Sequence, residues 1–155
     1  MPIKTSTFSI VITLLSVIIV VLLLIIAFTR TPDTNTVIVF HHLGLGDHFI
    51  CNGLINEYVR QYKCKVLLPC YKAYLESVTY MYSENKKVTV FGVDKDHEDE
   101  CVENMGKNTG NEIVRVGYEN CNETIFDESF YNCVGIDFKH RYSSWLLPRP
   151  LARTV

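Results

Sequence analysis

The chain has 155 residues and carries 15 lysines and arginines against 17 aspartates and glutamates, a formal net charge of −2 at pH 7. Near-neutrality without a basic stripe gives no electrostatic basis for a nucleic-acid partner. Heptads, internal repeats and low-complexity tracts are absent. The stretch from about Pro32 to Val155 suits one compact domain and is too short for two.

After a short tail, residues 1–7, the run Phe8 to Phe28 reads FSIVITLLSVIIVVLLLIIAF and holds no charge. At ~1.5 Å rise per residue such a helix extends about 30 Å, the thickness of a bilayer's hydrocarbon core. The alternative is a cleaved signal peptide. Its apolar region would be only ~7–15 residues long, and Thr29-Arg30-Thr31-Pro32-Asp33 offers a poor small-residue cleavage site. The expectation is therefore a retained signal-anchor in a single-pass membrane protein. Lys4 before the span favours a cytoplasmic N-terminus, with the domain lumenal or extracellular. Asn122-Glu123-Thr124 is an N-glycosylation sequon in keeping with that placement.

Residues 29–36 read as a linker and 37–145 as one α/β domain, followed by a tail over 146–155. Thr36 to His41 is a continuous β-branched and apolar run, as a buried parallel strand requires. In the next segment Ile50, Leu54, Ile55, Tyr58, Val59 and Tyr62 recur at helical spacing. That pattern predicts a helix over Phe49 to Tyr62 that turns Asn56, Glu57, Arg60 and Gln61 outward. Cys64 to Leu68 reads as a second strand ended by Pro69, and Tyr71 to Tyr82 as a second helix. Lys87 to Phe91 is a third strand.

Asp94 to Glu103 is an acidic, solvated stretch, and Asn104 to Asn111 reads as a polar loop. Glu112 to Val116 is a fourth strand, and Ser129 to Val134 a short helix that Gly135 can terminate. Strands alternating with helices at these lengths predict a parallel sheet with right-handed crossovers.

Six cysteines follow the apolar run: Cys51, Cys64, Cys70, Cys101, Cys121 and Cys133. They permit fifteen full pairings, between which sequence does not choose. Cys51 and Cys64 also suit small buried hydrophobes. No C-x-x-C pair exists, which argues against a zinc ribbon or a thioredoxin-like motif.

The chemistry concentrates in His41-His42-Leu43-Gly44-Leu45-Gly46-Asp47-His48, a glycine-rich turn between the first strand and the first helix. Such turns lie at the carboxyl end of a strand, where α/β sheets bind ligands. A dinucleotide fingerprint needs glycine at position 49, which is Phe49, and no G-K-[S/T] follows for a P-loop. A helix N-terminus still offers free N–H groups to an anion. Asp47 is a candidate general base, with ordinary helix capping as the alternative.

Neighbouring strand residues point to opposite faces, so His41 and His42 do not readily share a metal ion. No metal is expected here, and His97 in the acidic run is expected to be solvated. Near the end, Arg141 has a guanidinium suited to phosphate or a sugar hydroxyl, and it equally suits a surface position. Trp145 stacks on a sugar or packs on the sheet.

The stretch from His41 to Leu54 resembles the opening motif of heptosyltransferase-like glycosyltransferases of the GT-B fold. Similar later pieces are Tyr74-Leu75-Glu76-Ser77-Val78, Phe130-Tyr131, Gly135-Ile136 and Arg141. The resemblance covers about Val37 to Trp145 and implies the acceptor-side, Rossmann-like half of such an enzyme. It implies inverting sugar transfer from a nucleotide-activated donor with no bound cofactor, the nucleotide sugar being a co-substrate. Asp47 would then be the base, and Gly44 and Gly46 would shape the turn beside donor phosphates. His42, His48, Asn52 and Arg141 complete the expected substrate contacts.

In that fold a second domain supplies most donor contacts, and this chain ends ten residues after Trp145. A partner chain carrying the donor half is therefore expected for activity. The alternatives are a non-catalytic anchored module that binds a glycan or a protein, and an inactive remnant.

Overall fold

A computed structural model describes residues 15–22, 35–118 and 125–148. The chain divides into two compact units, Met1–Thr34 and Asn35–Val155. In the first, residues 15–22 are helical and exposed. Among the described residues no helix is long and apolar enough to cross a membrane. The expected span over residues 8–28 lies for the most part outside them, as do Cys121 and the sequon at Asn122.

The second unit is an α/β domain. Strands β1 (Thr36–Phe40), β2 (Lys65–Tyr71), β3 (Val88–Val93) and β4 (Glu112–Arg115) form one parallel sheet in the order β3-β2-β1-β4. Helices α1 (Leu45–Tyr62), α2 (Leu75–Met81) and α3 (Glu98–Thr109) connect them, and α4 (Phe126–Asn132) and α5 (His140–Ser143) follow. The order is that of the first four strands of a doubly wound sheet, consistent with a Rossmann-like domain.

Alternation along the strands builds two cores. Val39, Val66, Leu68 and Cys70 turn to one face and pack under α1, α2 and α4. Ile38, Phe40, Val93 and Ile113 turn to the other and pack against Val102 and Met105 of α3. Burial on both faces is why β1 reads as an unbroken apolar run rather than an alternating one.

Four boundaries differ from the sequence reading, each for a physical reason. First, β2 runs through Pro69 to Tyr71, where Pro69 pairs with Phe91 and Tyr71 with Val93. The Lys65 N–H points to β1 and the Val66 N–H to β3, so by alternation the missing donor of Pro69 falls on the β1 side. Pairing with β1 has ended by then, at Leu67, and the proline costs no ladder bond. The second helix consequently starts later, after a 3-10 turn over Lys72–Tyr74.

Second, α1 begins at Leu45, with Gly44 as its N-cap residue and Asp47 in its first turn. Third, Asn56 and Glu57 do not face solvent: every residue from Cys51 to Val59 is buried. Ser144 and His140 of the segment 136–148 lie on Glu57, and Asn85 donates to Asn56 Oδ1 at 2.8 Å. Fourth, the expected polar loop after Asn104 is the second half of α3. Glu98, Asp99 and Glu100 occupy its positive first turn. Gly110, at φ +72°, closes it by donating to the Gly106 carbonyl at 2.8 Å.

Candidate functional site

Right-handed crossovers place α1 and α2 on one face of the sheet and α3 on the other, because the chain reverses direction between β3 and β4. The reversal point of such a sheet, at the carboxyl ends of the two neighbouring strands β1 and β4, is where doubly wound folds place their ligands. His41 to Gly44 leave β1 there, and Val116 to Tyr118 leave β4.

The two sides are tied together. His42 Nε2 lies 2.9 Å from the Gly117 carbonyl oxygen, an acceptor only, so that nitrogen carries the proton and Nδ1 is left as an acceptor in the neutral ring. Tyr118 donates its hydroxyl to the His41 carbonyl at 3.3 Å. Gly117 sits at φ +83°, and a Cβ there would come within 2.2 Å of the Phe130 ring, so both backbone and space call for glycine. Around the half-buried His42 ring stand Tyr118, Phe130 and Phe126, at centroid distances of 5.1, 5.5 and 5.9 Å. Arg115 lies over Phe40 and Tyr118 and is held by Asp99 at 3.0 Å and Glu103 at 2.9 Å, which fixes α3 to this edge.

Asp47 is partly buried at the third position of α1. Its carboxylate turns back over the helix N-terminus toward Gly44, where a Cβ would meet Oδ2 at 2.7 Å. Burial raises its pKa above the ordinary carboxylate value, against the pull of His42 and the backbone donors. Gly46 is exposed, and a Cβ there meets nothing within 4 Å. His42, Gly44, Gly46 and Asp47 thus come together on one turn.

Two other nominated residues are closed off from solvent. His48 and Asn52 are fully buried. The rings of His48 and His41 meet edge to face at 4.5 Å. Burial lowers the pKa of His41 to about 4 and that of His48 to about 2, so both are neutral. His41 Nδ1 contacts the His42 carbonyl, while His41 Nε2 and both nitrogens of His48 have no hydrogen-bond partner among the described residues. Asn52 Oδ1 accepts from the Leu146 backbone at 2.9 Å and from Asn56 at 3.2 Å.

Arg141 stands on α5, paired with Asp127 and lying over Phe138 and Tyr142. Trp145 is 45% exposed. In the acidic run, His97 lies 4.0 Å from Glu100 with both side chains exposed. Among the described residues no group of three or more His, Cys, Asp or Glu converges as a metal site.

Sequence reasoning passed over Tyr118 and Phe126 as neighbours of His42. The signal was present for Tyr118, since Gly117-Tyr118 follows a strand just as the first turn does. Phe126 had none, because its approach to His42 is set by tertiary packing. Comparison with known proteins gives no match to a family model, to a curated protein or to a solved structure.

Proposed function

We propose that this chain is a membrane-anchored, glycosyltransferase-like protein that transfers a sugar from a nucleotide-activated donor to a hydroxyl acceptor. Asp47 is the general base in this reading. The acceptor hydroxyl gives its proton to the Asp47 carboxylate, its oxygen bonds to the anomeric carbon, and the nucleotide leaves with the electron pair of the broken bond. The observation that carries the proposal is the position of Asp47 at the carboxyl edge of β1, partly buried and with its pKa raised toward the working range of a base. The N-terminus of the 18-residue α1 supports it by offering backbone N–H groups to a donor phosphate. The resemblance of the His41–Leu54 motif to GT-B enzymes gives the reaction class.

The donor-binding half is assigned to a further domain or a partner chain, and no bound cofactor is invoked. Gly44 and Gly46 shape the turn beside the donor phosphates and His42 lines the same turn; His48 and Asn52 are too deeply buried to touch substrate, and Arg141 is paired with Asp127 on α5. The run Phe8 to Phe28 serves as the anchor, with the N-terminus cytoplasmic and the domain, with its sequon at Asn122, lumenal or extracellular.

A second reading, a non-catalytic anchored module that binds a glycan or a protein, is favoured by one observation. The Asp47 carboxylate turns back onto Gly44 in the first turn of α1, where a capping residue stands. Asp47→Asn separates the two. Asparagine keeps the shape and an oxygen at the helix N-terminus and loses the basicity, so transfer should fall by roughly 10²–10⁴-fold with the melting temperature unchanged. Undiminished turnover in the variant refutes the catalytic role.

A further inference from the structure

Both ends of the turn over residues 42–47 are closed by histidines. His41 ends the buried run of β1 and His48 lies in the first turns of α1. Both are fully buried, and their rings meet edge to face at 4.5 Å. The His42 carbonyl accepts from His41 Nδ1, so that nitrogen carries the proton and Nε2 keeps its lone pair. His41 Nε2 and both ring nitrogens of His48 have no hydrogen-bond partner among the described residues. A proton taken up by either ring therefore creates a buried N–H with nothing to accept it. No counter-charge offsets it. Among the described residues His42 is the one ionisable group whose charge bears on His41, and it is of like sign; His41 alone bears on His48. Asp47, the carboxylate beside them in sequence, is drawn to His42 instead. From the β4 side the Tyr118 hydroxyl reaches the His41 carbonyl and not its ring. A buried charge with neither partner nor acceptor is expelled rather than kept.

We infer that the His41–His48 pair is an acid-operated latch: protonation of either ring releases the turn 42–47 while the rest of the domain stays folded. The turn is tied down by a short set of bonds. His42 holds the Gly117 carbonyl at 2.9 Å and Tyr118 holds the His41 carbonyl at 3.3 Å. The Asp47 and His48 amides donate to the Gly44 carbonyl at 3.1 and 3.2 Å. Gly46 is exposed, with nothing within 4 Å of its Cβ position, so this end of the turn swings without a clash. Local openings of this kind cost less than unfolding of the whole domain, and a buried histidine is the side chain suited to bias one by pH. Burial holds the pKa of His41 at about 4, so the closed turn rejects a proton that an open one takes up near 6.5. The latch is shut above pH 6.5 and loosens as pH falls toward 4. It concerns the turn whatever the turn binds. The proposed function enters only for the consequence that acid withdraws Asp47 and His42 from a substrate.

Amide hydrogen exchange of the full chain from pH 7 to pH 4, followed residue by residue and corrected for intrinsic rate, tests the latch without any assay of activity. The amides of Asp47 and His48 report the turn, and those of the buried β2 residues Leu68 and Cys70 report the sheet. One proton taken up on opening raises the open population about tenfold per pH unit below 6.5. That rise is expected at Asp47 and His48, with protection at least ~tenfold below that of the sheet amides at every pH. Turn amides as well protected as the sheet overturn the inference, because the turn is then released only by unfolding of the whole domain. Opening that does not change with pH overturns it too. The double variant His41→Phe/His48→Phe keeps two rings in contact and removes both titrations, so the rise should vanish. A rise that persists in the folded variant belongs to a carboxylate such as Asp47 and refutes the assignment. Nuclear magnetic resonance titration of the two wild-type imidazoles decides the matter even where the variant does not fold. Both rings should take up protons only as the turn begins to exchange, and a ring that titrates near 6.5 with the turn closed contradicts the latch.

Discussion

Gly53→Ala tests how the terminal segment is held on α1. A Cβ at position 53 would lie 2.2 Å from the His140 carbonyl oxygen and 3.0 Å from His140 C and Arg141 Cα, where ordinary contact begins at 3.4 Å. The segment must then retreat by about 1 Å, and forcing a methyl into such a contact costs ~1–3 kcal/mol. Retreat also stretches the bonds from Leu146 to Asn52 and from Ser144 to Glu57, each worth ~0.5–1.5 kcal/mol. Against this, alanine is favoured over glycine inside a helix by ~1 kcal/mol. The net expectation is a loss of roughly 1–5 kcal/mol. Urea unfolding followed by circular dichroism measures it, and Trp145 emission reports whether the segment leaves first. Gly46→Ala is the control, since nothing lies within 4 Å of its Cβ, and it should be neutral or slightly stabilising. A Gly53→Ala midpoint equal to or above that of the wild type would refute the steric argument.

Two further outcomes follow from the buried polar groups. His41 is neutral in the fold with a pKa of about 4 against an ordinary 6.5, so the unfolded chain binds its proton more readily. The stability this provides is full above pH 6.5 and is lost as pH falls toward 4, by about 3 kcal/mol for this group alone. Urea midpoints measured from pH 8 to pH 4 should decline below pH 6.5, and a flat profile contradicts a buried neutral His41–His48 pair. Tyr131→Phe removes a hydroxyl that donates to the Ile50 carbonyl at 2.8 Å and accepts the Leu54 N–H at 3.2 Å. Those are the two groups a continuous helix would pair with each other, so closure of the ladder offsets part of the loss and the cost should be about 1–2 kcal/mol. Denaturation of the variant at the wild-type midpoint would show that the insertion contributes nothing.

The sheet was legible in the sequence wherever burial is two-sided, because residues such as Val37 to Phe40 must be apolar on both faces. The first turn was legible for the same reason: glycines and an aspartate directly after such a run have few other places to be. What escaped depended on tertiary covering. Asn56 and Glu57 look like surface residues, and Glu57 is buried only because Arg60, Ser144 and His140 surround it from two directions. The Arg60 guanidinium holds the Glu57 carboxyl below its ordinary pKa and so keeps the charge in place. The second half of α3 escaped because a single narrow stripe, Cys101, Val102 and Met105, meets the sheet. That is too little apolar periodicity to stand out from its acidic surroundings. Of the nominated site, His42 to Asp47 is contiguous in sequence and so necessarily in space. His48, Asn52 and Arg141 depended on side-chain direction, which spacing alone does not give.

The central claim of the proposed function is that the turn at the carboxyl ends of β1 and β4 receives a carbohydrate ligand. Nuclear magnetic resonance of the full chain, titrated with a panel of nucleotide sugars and glycosides, tests it most directly. Ligand-dependent shifts should concentrate at the His42 ring and at the amides of Gly44, Gly46, Asp47 and Tyr118. Saturating additions that leave these resonances in place, or shifts confined to a distant part of the fold such as the acidic turn before α3, would contradict it.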